Sequence, residues 1–144
     1  MTYSWDQNAI DDFIFDMLNI AGVTGLVSSR IYNHRVPSGT PPQYPLVRYQ
    51  VWSRFRPQYT LGNGRSHYKG SYRIVGIAED DPRGAKAIQK QIEAAMIANP
   101  VAISTGQTVV VCRPQEYTYD EQDLIGDGKT YILAGVQIEL EVTA

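Results

Sequence analysis

Residues 130–142, TYILAGVQIELEV, alternate with a period of two. Ile132, Ala134, Val136, Ile138, Leu140 and Val142 fall on one side, and Tyr131, Leu133, Gln137, Glu139 and Glu141 on the other. Successive side chains of a strand point to opposite faces. The segment therefore makes a strand with one wholly apolar face, and a sheet built around it needs a cover on that face only. Whatever else the chain does, it has to supply that cover.

Two segments have the right pattern. In 4–18, Ile10, Phe13, Ile14, Met17 and Leu18 recur at i, i+3, i+4, i+7 and i+8, which puts them on one side of a helix. Ser4 and Gln7 form an S-x-x-Q capping box, and Asp6, Asp11 and Asp12 lie where the helix dipole favours acids. In EDDPRGAKAIQKQIEAAMIANP, Asp81 is a good N-cap, and Pro82 stands at the first helical position, where its missing N–H costs nothing. Ala85, Ile88, Ile92, Ala95 and Met96 make the apolar side, and Pro100 ends the pattern. Gly22 and Gly25 interrupt NIAGVTGLVSS, which has room for a short helical turn.

The other strands are RIYNHRV, LVRYQVWS at 46–53, YKGSYRIVGIA at 68–78, and 108–112 continuing toward Tyr117. Val47, Tyr49 and Val51 share one face of the second of these, while Ile74, Val75 and Ile77 predict burial on both faces of the third. PSGTPPQYP is an irregular connection, because proline donates no ladder bond. Two further connections, 54–67 and 118–128, are read as long loops, a class that is usually functional. The expectation is one domain over 1–144, of the α+β class. It has two layers, with a mostly antiparallel sheet of four to five strands and two helices packed on one face.

The net charge of -2 hides a division. Between Asp16 and Glu79 there is no acid, yet Arg30, Arg35, Arg48, Arg54, Arg56, Arg65, Lys69 and Arg73 lie there. From Glu116 to Glu141 there are seven acids and one base, Lys129. Such asymmetry either marks partner surfaces or is neutralised when the segments fold together. The single cysteine, Cys112, cannot form a disulfide within the chain and sits in the apolar run TVVVC, as a small buried hydrophobe would. The first residues show no basic and apolar leader, and no apolar run reaches the length of about 20 that spans a bilayer. A soluble intracellular protein, or one made in a cytoplasm, is expected, without membrane contact.

Catalytic and cofactor motifs fail on inspection. GDGKT, at 126–130, ends like a phosphate-binding loop, but Asp123 stands where that motif needs glycine, and the segment opens a strand rather than a helix. A hairpin turn at Asp127-Gly128 explains it better. His34 and His67 have no metal-ligand spacing around them, and no G-x-S-x-G occurs. The chain reads as a non-enzyme without cofactor or metal. What stands out is the basic and aromatic stretch RFRPQYTLGNGRSHYKG, at 54–70, whose composition suits a protein interface, a solvated loop or a site for single-stranded nucleic acid.

The order of pieces resembles the tail completion, or tail terminator, proteins of long-tailed bacteriophages. An amphipathic helix is followed by RIY and a proline loop, then YPLVRYQ, then DPRGAKAIQKQIEAAM, and finally GVQIELEV. The resemblance implies a hexameric ring that ends the tail tube and joins it to the head-side connector or stopper protein, in the neck of the virion. DNA passes through the lumen without specific binding. On that reading Arg54, Phe55, Arg56, Tyr59 and Arg65 contact a neighbouring subunit or partner ring, and Asp120, Glu121, Asp123 and Asp127 line the lumen, where acids repel phosphate. The alternatives are a nucleic-acid-binding domain using the basic segment 48–73, and a head-side connector or stopper protein.

Overall fold

The computed structural model describes residues 7–34, 44–60, 64–96, 101–102, 108–122 and 129–143. At 7, 54–60, 64–67, 101–102, 108–114, 116–122 and 143 the description covers the backbone and not the side chain. In chain order the elements are α1 (Gln7–Leu18), α2 (Ala21–Val27), β1 (Ile31–Asn33), β2 (Leu46–Thr60), β3 (Gly64–Glu79), α3 (Pro82–Met96), β4 (Val101–Ala102), β5 (Thr108–Gln122) and β6 (Thr130–Thr143). The strands form one sheet in the order β1-β2-β3-β6-β5-β4. Every pairing is antiparallel except β1 with β2.

The alternation of residues 130–142 governs the core. Ile132 through Val142, at even positions, are all buried. Val136, Ile138, Leu140 and Val142 pack in one cluster with Val47 and Tyr49 of β2 and Tyr68, Tyr72 and Ile74 of β3. The cover comes from Ile10, Phe13, Ile14 and Leu18 of α1, Val23 and Val27 of α2, and Ile88, Ile92 and Met96 of α3. Ala85 of α3 closes the end of this layer against Ala78, Ile132 and Ala134. Two polar ties fix the helices to the sheet. The Tyr72 hydroxyl donates to Asp11 Oδ1 at 2.5 Å, and buried Gln89 donates from Nε2 to the Gly135 carbonyl at 2.8 Å. Gly76 lies under α3, where a Cβ would run into the Ile88 side chain, so the missing side chain lets the helix approach the strand closely.

α3 begins as its sequence dictates. The Asp81 side chain accepts the Gly84 N–H at 2.9 Å and its carbonyl accepts the Ala85 N–H at 3.0 Å. Asp80, just before the cap, turns the chain with a φ of 45°, a left-handed conformation that aspartate tolerates better than most residues.

Several expectations change. The sheet has six strands rather than four to five, because the two-residue β4 adds an edge, and α2 makes a third helix where a turn was expected. The segment 54–67 is not a loop. β2 runs on to Thr60 and β3 starts at Gly64, so only 61–63 fall outside the described residues. Pro57 and the glycines read as breakers, but β1 has ended by Asn33, opposite Tyr49, and past that point no described strand pairs with the outer side of β2, where proline is tolerated. Likewise β5 continues through Gln122, which takes 118–122 out of the second loop; 123–128 lie outside the described residues, as do Ser4 and the start of the capping box.

Candidate functional site: the uncovered face of the sheet

The second face of the sheet is divided along its length. At one end Leu46, Val75, Ile77, Tyr131 and Leu133 are buried, with Tyr32 and Tyr44 packed on them and the Tyr44 and Tyr131 rings 4.7 Å apart. Arg30 supports this end, its Nε donating to the Pro45 carbonyl at 2.8 Å. Toward the other end the face turns polar and half-open, carrying Gln50, Trp52, Lys69, Ser71, Arg73, Gln137, Glu139 and Glu141. Lys69 reaches Glu141 at 3.0 Å and Glu139 at 4.0 Å. Part of the charge division is therefore neutralised inside the fold, between β3 and β6. These side chains are well exposed, and pairs of that kind contribute little to stability.

Trp52 occupies the most distinctive position. Val51 pairs with Tyr72 and Ser53 with Ser71, so Trp52 is the extra residue of a β-bulge. A bulge leaves one residue out of the ladder and re-aims its side chain. The displaced Ser53 N–H is taken up at 3.0 Å by the hydroxyl of Ser71, a buried polar residue. The indole is 50% exposed, the most open of the large apolar side chains among the described residues. The Arg73 guanidinium stands over its ring at 3.5 Å from the centroid, and Arg73 Nε donates to Gln137 Oε1 at 3.1 Å. Deeper on the same strand face, Arg48 Nε is buried and has no hydrogen-bond partner among the described residues, an arrangement that costs about 1–3 kcal/mol.

The residues singled out from sequence separate into two groups. Arg54, Phe55, Arg56 and Tyr59 lie on the outer half of β2 and Arg65 on β3, with Tyr59 opposite Arg65 and Arg56 opposite Lys69. Asp120 and Glu121 lie near the end of β5, opposite Ile132 and Tyr131. Asp123 and Asp127 are outside the described residues. Following the register across the sheet, Arg56 is level with Lys69, Glu141 and Val110, whereas Leu46 is level with Ile77, Leu133 and Tyr119. Asp120 is ten residues beyond Val110 along β5, about 33 Å at strand rise. The basic and acidic groups thus occupy opposite ends and opposite edges of one sheet, and the molecule does not bring them together. The sequence reading named Trp52 and Arg73 only within a broad basic and aromatic stretch; the bulge that pairs them depends on register and leaves no local motif.

On the helix side, Asp11, Asp12 and Asp16 of α1 lie near enough to Tyr49 for their charges to act on it. Burial, and then these three carboxylates in that order, push the Tyr49 hydroxyl up to about 12. Among the described residues no group of three His, Cys, Asp or Glu is gathered as a metal ion would need, and no helix is long and apolar enough to cross a membrane.

Fold and face together define a one-sided α+β sheet domain: helices on one face, a prearranged tryptophan–arginine pair on the other. No protein-family model and no curated protein sequence matches the chain. Solved structures do. A chain from the virion of a native gene transfer agent particle has the same fold, with a TM-score of 0.67 and 15% identity over 95% of this chain and 96% of that one. A second solved chain aligns with a TM-score of 0.60 and 15% identity over 98% of both.

Proposed function

We propose that the protein is a structural component of a virion, and that it acts as a ring that ends the tail tube and joins it to the head-side connector. The observation that carries this is the fold it shares, nearly end to end, with a chain of a gene transfer agent virion. The order of sequence pieces that resembles phage tail completion proteins supports the same role. The work asked of such a part is contact, with no reaction and no cofactor. Copies assemble in the host cytoplasm into a closed hexamer, one end of which meets the tube while DNA passes through the middle. Heterologous contacts, in which two different patches of each subunit meet, are what close such a ring. The placement of Arg54, Arg56 and Arg65 at one end of the sheet and of Asp120 and Glu121 at the other suits them.

The test is the mass of the purified protein by light scattering, alone and with purified tail tubes, with negative-stain imaging of the tube ends. A ring in solution, or a cap at one tube end, is the expected result. A monomer that ignores tubes and binds short DNA with a steep loss of affinity as salt rises would refute the proposal and favour a nucleic-acid-binding domain.

A further inference from the structure

Trp52 is half exposed although the fold spends a β-bulge and a buried serine on placing it. The indole is not left to move freely. Arg73 lies on it, and Gln137 holds Arg73. A side chain fixed before contact loses little conformational entropy on binding. Tryptophan backed by arginine is also the composition in which interface energy concentrates.

We propose that Trp52 and Arg73 are the anchor on which a second copy of this chain docks, and that the docking surface of that copy is the acidic end of its β5. The inference rests on the ring reading and supplies its subunit contact. Three observations select the occupant. First, the neighbourhood of Trp52 is basic on balance: Arg54, Arg56, Arg65, Lys69 and Arg73 lie close in sequence or register, against two acids of β6, Glu139 and Glu141, which Lys69 already meets. The complementary charge of this chain, Glu116, Asp120 and Glu121, lies on the opposite edge of the same sheet, too far away to serve its own copy. Second, among the described residues neither edge is paired along its length: β1 accompanies β2 only to Tyr49, and β4 accompanies β5 only over Thr108 and Val109. A strand edge without a partner is where another chain can add. Third, the strand senses agree. β2, β3, β6 and β5 alternate in direction, so β2 and β5 are antiparallel to each other. A second copy turned about an axis along the strands brings its β5 beside β2 in antiparallel sense.

The register then sets the offset. Within one copy Gln50 is level with Gln115, through Arg73 and Gln137. Sliding the second copy by seven residues, about 23 Å at strand rise, sets its Gln122 beside Gln50, its Asp120 at the level of Ser53, next to the Trp52 bulge, and its Glu116 at the level of Gln58. Such a stagger between neighbours is what tilts strands when a sheet closes on itself.

The experiment uses two reversed copies of the full chain, one with Arg54→Glu and Arg56→Glu, the other with Glu116→Lys, Asp120→Lys and Glu121→Lys. Each is checked for a wild-type melting curve and followed by light scattering. Neither assembles alone, because each presents like charges at the contact. Mixed one to one they alternate and regain the wild-type mass. Trp52→Ala weakens wild-type assembly at least tenfold. In a Trp5→Phe background the emission of Trp52 shifts to the blue as assembly proceeds. Assembly of either reversed copy by itself, failure of the mixture, or unchanged assembly of Trp52→Ala overturns the proposal while leaving the ring intact. Wild-type protein that stays monomeric beside tail tubes overturns the ring reading and this contact with it. Loss of short-DNA binding in Trp52→Ala without any change in mass assigns the face to nucleic acid and overturns it as well.

Discussion

Replacing Gly76 by alanine tests whether the close approach of α3 to the sheet holds this layer in place. A Cβ at Gly76 would lie 2.8 Å from the Ile88 Cβ and closer still to its Cγ2, and Ile88 is buried in the core, 1% exposed. Forcing an extra methyl into a packed core costs about 1–3 kcal/mol. Loss of glycine's freedom in the unfolded chain returns about 0.4–1 kcal/mol. The net loss is therefore about 1–2 kcal/mol, or a fall in Tm of about 3–6 °C for a domain of this size. The informative measurement is a cycle with Ile88→Ala, which alone costs about 2–5 kcal/mol through its cavity. In the double variant the new methyl enters the space that Ile88 vacated, and α3 needs only a small shift to accept it. The two losses then fall short of their sum by about 1 kcal/mol or more, as expected for residues in contact. Urea and thermal unfolding of the four proteins, followed by circular dichroism, give the cycle. Gly76→Ala as stable as the wild type, or strictly additive losses, would refute the reasoning, because either result means that the helix does not rest on that strand position.

Two other predictions concern the start of α3 and the buried tyrosine. Asp81→Ala removes the acceptor for the Gly84 N–H and lowers stability by about 1 kcal/mol, measured as a shift in the urea midpoint with an unchanged slope. Tyr49 is neutral in the folded protein up to about 12, while in the unfolded chain it ionises near 10.0. Its contribution is therefore complete below pH 10 and is lost as pH rises toward 12, since over that interval the unfolded state releases the proton that the folded state keeps. Tyr49→Phe makes the alkaline fall in stability shallower, which urea midpoints from pH 9 to 11.5 report.

The main covered face was legible because it depends on local spacing. The alternation of 130–142 and the i, i+3, i+4 patterns around Ile10 and Ile88 named the sheet face and two of the helices that close it. The Asp81-Pro82 start was legible for the same reason, a cap being made within four residues. The strand lengths were not. Proline and glycine around Pro57 signal a break wherever a ladder bond is needed, and only the short reach of β1 reveals that none is needed there on the outer side of β2. The candidate site was legible as composition and not as geometry. The run of arginines showed a basic segment, and the acids after Glu116 showed its complement. That the two sit at diagonal corners of one sheet follows from levels shared by residues as far apart in sequence as Arg56 and Glu141, which no local window contains. Trp52 was missed as an anchor for the same reason, since its bulge exists only in relation to Ser71 and Tyr72.

The β3–β6 ladder has a mechanical meaning. From His67 opposite Thr143 to Glu79 opposite Tyr131 it runs without a register shift, while the flanking β2–β3 and β5–β6 ladders are each interrupted. The interruptions lie on the margins, at Val51/Ser53, Ser53/Arg56, Gln58/Tyr59 and Cys112/Gln115. The sheet is thus a stiff central plank with hinged borders. Bending imposed from outside is absorbed at those borders, and the plank that carries the helices keeps its shape.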